Sequence, residues 1–193
     1  MYEELHKLKV SPSPLHKALV ELQKLGIVKT IITQNVDGLH QMAGSRNVLE
    51  MHGSGKLCYC LDCHYVALAD KEIWQKTHNQ PSEHIPRCPK CGGLLKLDII
   101  MFGEKLNKKI YDKAVESSSN TDFLLVIGTS LQVAPCNVVP FRAKQNGAQL
   151  AFVNATNTPI DDLADYLIRE DAQEAIPKIV EKVKKIVCYI EGK

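Results

Sequence analysis

The sequence predicts an α/β fold built on a parallel sheet and interrupted by a small cysteine-rich module. Three observations carry this. Short β-branched or apolar runs alternate with stretches of helical period. Three of those runs stop at small polar residues, at Gln34-Asn35, Gly128-Thr129-Ser130 and Asn154. Between Gly53 and Lys96 the periodicity fades, and Cys, Gly and Pro take over.

The first element is an amphipathic helix with Leu15, Ala18, Leu19, Leu22 and Leu25 on one face. Ser13 caps it, Pro14 is its first helical residue and Gly26 ends it. Residues 27–33 are β-branched enough for a buried strand, which breaks into the polar loop Gln34 to Gly38. After the cysteine-rich stretch, residues 97–102 read as a strand stopped by Gly103, and residues 109–115 as a short helix. Phe123 to Ile127 is the clearest buried strand. A helix over residues 137–146 closes at Gly147, and Leu150 to Val153 forms the next strand. The last helix carries Ile176, Ile179, Val180, Val183 and Val187 on one face. In parallel sheets ligands sit outside the carboxyl ends of the strands, which marks the three polar strand ends as the candidate site.

At 193 residues the chain can form one domain with a substantial core, or a domain carrying a small module. With 24 basic and 22 acidic residues its net charge is +2, which gives no reason to expect nucleic-acid or membrane-surface binding. No apolar run approaches the roughly 20 residues of a membrane span. Met1 to Val10 is charged and lacks the apolar stretch of a signal peptide, so the expected location is the cytoplasm.

Five of the seven cysteines, Cys58, Cys60, Cys63, Cys88 and Cys91, lie in one stretch. In a reducing compartment such clustering points to metal rather than disulfides. Cys60-x-x-Cys63 and Cys88-x-x-Cys91 are two knuckles 24 residues apart, each offering two thiolates on a tight turn. Four cysteines with no open position imply one structural Zn2+ rather than a catalytic ion. Cys58 falls outside that register, and His64 reads as an exposed turn residue. Cys136 and Cys188 stand alone in apolar surroundings and read as buried small hydrophobes.

The remaining polar segments carry two readings each. Gln34-Asn35-Val36-Asp37-Gly38-Leu39-His40 is either a turn whose side chains satisfy its own backbone or a ligand loop. His52-Gly53 is a surface histidine or a catalytic one. Gly128-Thr129-Ser130 is a plain strand-to-loop turn or a phosphate contact. No G-x-G-x-x-G and no G-x-x-x-x-G-K-[ST] occurs. The residues alone lead to a ligand crevice and a zinc module, and stop short of a reaction.

Taken together, six segments resemble the sirtuin core: Thr33 to His40 as T-Q-N-[IV]-D-G-L-H, Glu50-Met51-His52-Gly53 as the histidine-glycine motif, the two cysteine pairs as the zinc ribbon, Phe102-Gly103-Glu104, Gly128-Thr129-Ser130-Leu131, and Asn154 with Thr158-Pro159. The resemblance runs from about Ser11 to the end. It implies a Rossmann-like NAD-binding domain over residues 1–53 and 97–193, a zinc-binding module over residues 54–96, and a cleft taking NAD and an acyl-lysine peptide. The implied activity is NAD-dependent removal of acyl groups from protein lysine, giving nicotinamide and O-acyl-ADP-ribose. The implied catalytic residues are His52, as general base, and Asn35; a histidine titrates near working pH, as such a base needs. The implied NAD contacts are Gln34, Asn35, Asp37, Gly128, Thr129, Ser130, Asn154 and Ala172. Ile99, Ile100, Met101 and Phe102 form the implied edge for the peptide, as an added strand.

The family pattern begins with a strand leading into G-A-G-x-S and a loop with a P-D-F-R-like stretch; neither occurs here, and Lys96-Leu97 stands where Arg-Pro is usual. The departure implies weak NAD binding and weak or no turnover by the chain as given. Two competing readings are mono-ADP-ribosyl transfer and a non-catalytic, zinc-stabilised interaction protein.

Overall fold

A computed structural model describes residues 10–69 and 86–192. The charged start over residues 1–9 and residues 70–85 of the cysteine-rich stretch lie outside the described residues. The chain divides into two compact units: Met1–Ile32, Leu39–Leu49 and Tyr111–Lys193 in one, Thr33–Gly38 and Glu50–Ile110 in the other.

In the first unit, helix α1 (Pro14–Lys24) starts as its sequence dictates. Ser13 is extended, and Pro14 occupies a position whose N–H would have no partner anyway. His16, three residues on, replaces the usual acid of a capping box: its Nδ1 accepts from the Ser13 N–H at 3.3 Å and lies 2.8 Å from Ser13 Oγ. Gly26 takes φ +71° beyond the C-cap, and the Ile27 and Val28 amides turn back to the Leu22 carbonyl at 3.0 and 3.2 Å. That turn shortens the strand expected over residues 27–33 to β1 (Ile31–Thr33), which pairs with β2 (Val48–Glu50). The short helix α2 (Leu39–Ala43) lies between them in sequence.

The parallel sheet consists of β6 (Phe123–Ile127), β7 (Gln149–Val153) and β8 (Tyr166–Ile168), in that order, with Ile127 beside Val153 and Val153 beside Ile168. Helix α4 (Val138–Gln145) carries the chain from β6 to β7. The central strand β7 is buried on both faces, as parallel strands are. Leu150 and Phe152 join Val126, Leu131 and Ala143 in one cluster, while Val153 joins the cluster of α1 with the last helix, α5 (Ala172–Glu191). Each fully buried side chain of this size contributes about 1.5–3 kcal/mol. Asp171 caps α5, its carboxylate accepting the Gln173 N–H at 2.8 Å.

The second unit holds an antiparallel sheet in the order β4-β3-β5, from β3 (Gly53–Cys60), β4 (Val66–Leu68) and β5 (Leu95–Ile99). The strand expected over residues 97–102 is therefore shifted: it begins at Leu95, opposite Cys60, and stops at Ile99, because residues 101–104 form a turn. Residues 97–110 and the segments Thr33–Gly38 and Glu50–Gly53 belong to the same compact unit as the clustered cysteines, and β5 pairs with β3 within it. Helix α3 (Lys108–Ser119) leads back to β6.

Cys136 is buried as expected, but Cys188 is exposed. It sits near the end of α5 beside the exposed Ile186, Tyr189 and Ile190, on turns beyond the packed face of Ile176 and Val180. Among the described residues, no helix is long and apolar enough to cross a membrane.

Candidate active site and metal centre

The metal centre follows from strand register. Cys60 ends β3, Cys63 lies in the turn toward β4, and Cys88 and Cys91 precede β5, whose first residue pairs with Cys60. The four sulfurs lie within 4.8 Å of one another, with Cys60 and Cys91 3.5 Å apart and Cys63 and Cys88 3.7 Å apart. Four sulfurs at the Zn–S bond length from a common centre stand about 3.8 Å apart, so the set fits a tetrahedral zinc. Backbone amides support charge there: Asp62 N and Cys63 N donate to Cys60 Sγ, and Lys90 N to Cys88 Sγ, at 3.4–3.5 Å.

The Cys63 amide is the main reason the Cys60 thiol is pulled down to about 7. At Cys91 the Gly93 amide pulls down, but crowding by Cys63 and Cys60 outweighs it and pushes the thiol up to about 12. Four thiolates this close need a cation among them. A Cβ on Gly93 would displace the Asp62 carboxylate and sit 3.0 Å from Cys60 Sγ, so a side chain there would crowd the second knuckle. Cys58 is wholly buried and turns away, its Sγ 3.6 Å from the Ala67 carbonyl. His64 is an exposed turn residue with φ +57°.

In the same unit three segments meet at His52. Its Nδ1 lies 3.2 Å from the Gln34 carbonyl, and its own carbonyl accepts the Ile100 N–H at 2.9 Å. The Met51 N–H donates to Thr33 O, and the Gly55 N–H to Val36 O, both at 2.8 Å. The second of these takes β3 off β5 between Ser54 and Cys58 and pins the middle of the polar loop. Gln34, Asn35 and Asp37 are thereby held beside His52, with Asn35 and Asp37 exposed and the Asn35 N–H bonded to Thr33 Oγ1 at 3.1 Å. A carbonyl oxygen only accepts, so this contact is a hydrogen bond in the tautomer that carries its hydrogen on Nδ1 and leaves a lone pair on Nε2.

Gly53 locks this arrangement. It has φ +77°, and a Cβ there would collide with the Asp98 carbonyl on β5. Gly53→Ala is expected to cost at least about 2 kcal/mol, from left-handed backbone strain plus separation of the two strands. A denaturant titration checks it, and an unchanged midpoint would contradict the account.

In the first unit, Gly128, Asn154 and Ala172 follow the carboxyl ends of β6, β7 and β8, three neighbouring parallel strands. Gly128 has φ +55° and donates to Val153 O at 3.0 Å. Thr129 Oγ1 and Ser130 Oγ accept the Leu131 and Gln132 amides at 3.3 and 3.5 Å, which folds the loop back on itself. Asn154 is buried, its N–H on Ile168 O at 3.1 Å and its Nδ2 on Thr156 O at 2.8 Å.

Two groups of residues escape sequence reasoning. Arg169 donates to Asn154 O and Thr156 O at 3.3 and 2.9 Å and pairs with Asp161, which also holds Thr158. Burial pushes the Asp161 carboxyl up, but the Thr158 bonds and the Arg169 charge outweigh it and hold it below its ordinary range. The second group is Lys96 with Glu104, around the Ile99 to Phe102 segment. Only the Thr158-Pro159 motif hints at the first, and a motif mismatch at Lys96 at the second.

The family model described as "Sir2 family" matches residues 1–135. "NAD-dependent protein deacetylase 1" of Pyrobaculum aerophilum is 43% identical over 176 residues, covering 91% of this chain and 67% of that protein. "NAD-dependent protein deacylase 2" of Archaeoglobus fulgidus is 43% identical over 182 residues, covering 93% and 70%. Among solved structures, a Sir2 homologue in complex with NAD superposes with a TM-score of 0.83 at 35% identity, covering 92% of this chain and 67% of the other. "Sir2-p53 peptide-NAD+" superposes with 0.85 at 32% identity, covering 92% and 72%.

Proposed function

The chain belongs to the Sir2 family, and from that premise we infer that it is an NAD-dependent protein-lysine deacylase. It takes acyl groups from lysine side chains of proteins and consumes NAD, with nicotinamide and O-acyl-ADP-ribose as products. The observation that carries this reading is the His52 ring. Held by the Gln34 carbonyl on Nδ1, it has Nε2 as the proton acceptor of a neutral imidazole.

NAD supplies the electrophile, an anomeric carbon from which nicotinamide leaves. His52 takes a proton from a ribose hydroxyl once the acyl oxygen is bonded to that carbon. Asn35, Gln34 and Asp37 hold the nicotinamide ribose and line the nicotinamide pocket, which their short loop favours because Val36 and Thr33 fix it at both sides. Gly128, Thr129 and Ser130 contact phosphate and the adenosine side, Asn154 the adenosine ribose, and Ala172 the adenine. Their place at the carboxyl ends of three parallel strands supports this assignment. Ile99, Ile100, Met101 and Phe102 form the edge for the peptide.

In this reading residues 1–53 and 97–193 form the NAD-binding domain and residues 54–96 the zinc-binding module. Cys60, Cys63, Cys88 and Cys91 hold one Zn2+, whose closed thiolate shell makes it structural. The balanced charge argues against specific nucleic-acid or membrane binding, and the cytoplasm is the proposed location. Nicotinamide release that requires an acyl-lysine peptide tests the assignment. Release without the peptide would mark NAD hydrolysis or ADP-ribosyl transfer instead.

A further inference from the structure

Lys96 lies on β5 opposite Tyr59 of β3, its ammonium 5.6 Å from the Tyr59 ring centre. The Nζ donates to the Ile99 carbonyl at 2.7 Å and to Glu104 Oε2 at 3.0 Å, and lies 3.5 Å from the Leu97 carbonyl. The same Glu104 oxygen accepts the Met101 N–H at 2.9 Å, while the Glu104 N–H donates to Met101 O at 3.0 Å. That last bond closes a four-residue turn with Phe102 and Gly103 at its corners. Gly103, at φ +87°, supplies the conformation that the third position of a type II turn demands.

One ion pair therefore fastens both ends of the span from Ile99 to Glu104. Phe102, at the tip of that turn, is 96% exposed. The Lys96 side chain is 25% exposed and Glu104 42%, so the pair adds little to overall stability. Its effect is local: it sets where one carbonyl and one amide of the span point. Burial alone would lower the Lys96 ammonium, yet Glu104 and Tyr59 hold it above its ordinary value, so it stays charged. An open pocket of about 390 Å³ lies alongside, lined by Tyr59, Lys96, Asp98, Ile100, Glu104 and Lys105.

We propose that Lys96, through its pair with Glu104, is a positioning residue for the acyl-lysine peptide: it preshapes the Ile99 to Glu104 backbone to which the peptide adds as a strand. This rests on Ile99 to Phe102 being the peptide edge. Strand addition draws its affinity from main-chain hydrogen bonds and its selectivity from pockets for alternate side chains. An edge already in its bound shape loses less entropy on binding.

The test is anisotropy with a labelled acetyl-lysine peptide, alongside steady-state kinetics, for the intact chain and its Lys96→Met, Lys96→Arg, Glu104→Gln and Lys96→Met/Glu104→Gln variants. Lys96→Met and Glu104→Gln are each expected to weaken peptide binding about 3- to 10-fold, and the double variant no further than the weaker single one. Lys96→Arg keeps both donors and is expected to bind within about threefold of the original. The KM for NAD and the zinc content are expected to hold in every variant. Unchanged peptide binding by Lys96→Met overturns the proposal alone. So does a Lys96→Arg variant as weak as Lys96→Met, or a parallel loss of zinc and NAD affinity, which would mark simple misfolding. An unmodified chain that binds no acetyl-lysine peptide would overturn the peptide-edge reading and this proposal with it.

Discussion

His52→Ala is expected to lower NAD-dependent deacylation by about 10²- to 10⁴-fold, the usual contribution of a positioned general base. The loss belongs in kcat, because nothing in the assignment gives His52 a part in holding the peptide. The variant is also expected to fold. What His52 gives to the architecture is its backbone carbonyl, which accepts the Ile100 N–H, and alanine retains that bond. The ring contact with the Gln34 carbonyl is lost, but the loop is still pinned by Val36 and Thr33. Peptide affinity and one zinc per chain should therefore persist while turnover falls. A variant that turns over at the original rate would remove His52 from the chemistry.

Removing the metal is expected to have the largest structural effect. Cys60 closes β3 against Leu95, the first residue of β5, and the Leu61 N–H donates to Leu94 O at 2.9 Å beside it. The knuckles thus sit where the antiparallel sheet begins, and among the described residues the unit has few large buried side chains besides Met51 and Leu95 to hold it otherwise. Structural zinc sites of this kind bind with an apparent free energy of about 10–16 kcal/mol, most of which is folding free energy. Cys60→Ala, or chelation, should abolish zinc binding and release the amides of β3 and β5 to hydrogen exchange. The amides of β6 and β7 should stay protected, since their cluster of Val126, Leu150 and Phe152 contains no residue of the cysteine unit. Zinc analysis with amide exchange reads both. Retained protection of β3 after zinc is stripped would contradict the account.

Legibility follows the physics of each element. Phe123 to Ile127 is readable as a strand because it is a plain apolar run, although only Val126 in it is buried and Phe123 is exposed, and α1 because cap, proline and glycine all agree. The zinc ligands are readable because tetrahedral chemistry imposes a spacing on the chain. β3 is not: it carries two glycines, two cysteines and a register shift where Gly55 leaves β5 for Val36. β8 escapes notice because Tyr166 and Leu167 are exposed, so this short edge strand shows no buried pattern. Cys188 reads as buried and is not, because the apolar stretch around it continues past the packed part of α5.

At the candidate site, the polar strand ends can be read from sequence, and the roles of their residues only through resemblance. The Lys96–Glu104 tie cannot be read from periodicity, since no periodic rule relates a lysine on a strand to a glutamate eight residues on across a turn.

The most direct measurement is a mass-spectrometric product analysis of the chain incubated with NAD and an acetyl-lysine peptide. The expected products are nicotinamide, deacetylated peptide and O-acetyl-ADP-ribose in equal amounts, all lost together in His52→Ala. Nicotinamide released without deacetylated peptide would contradict the deacylase assignment.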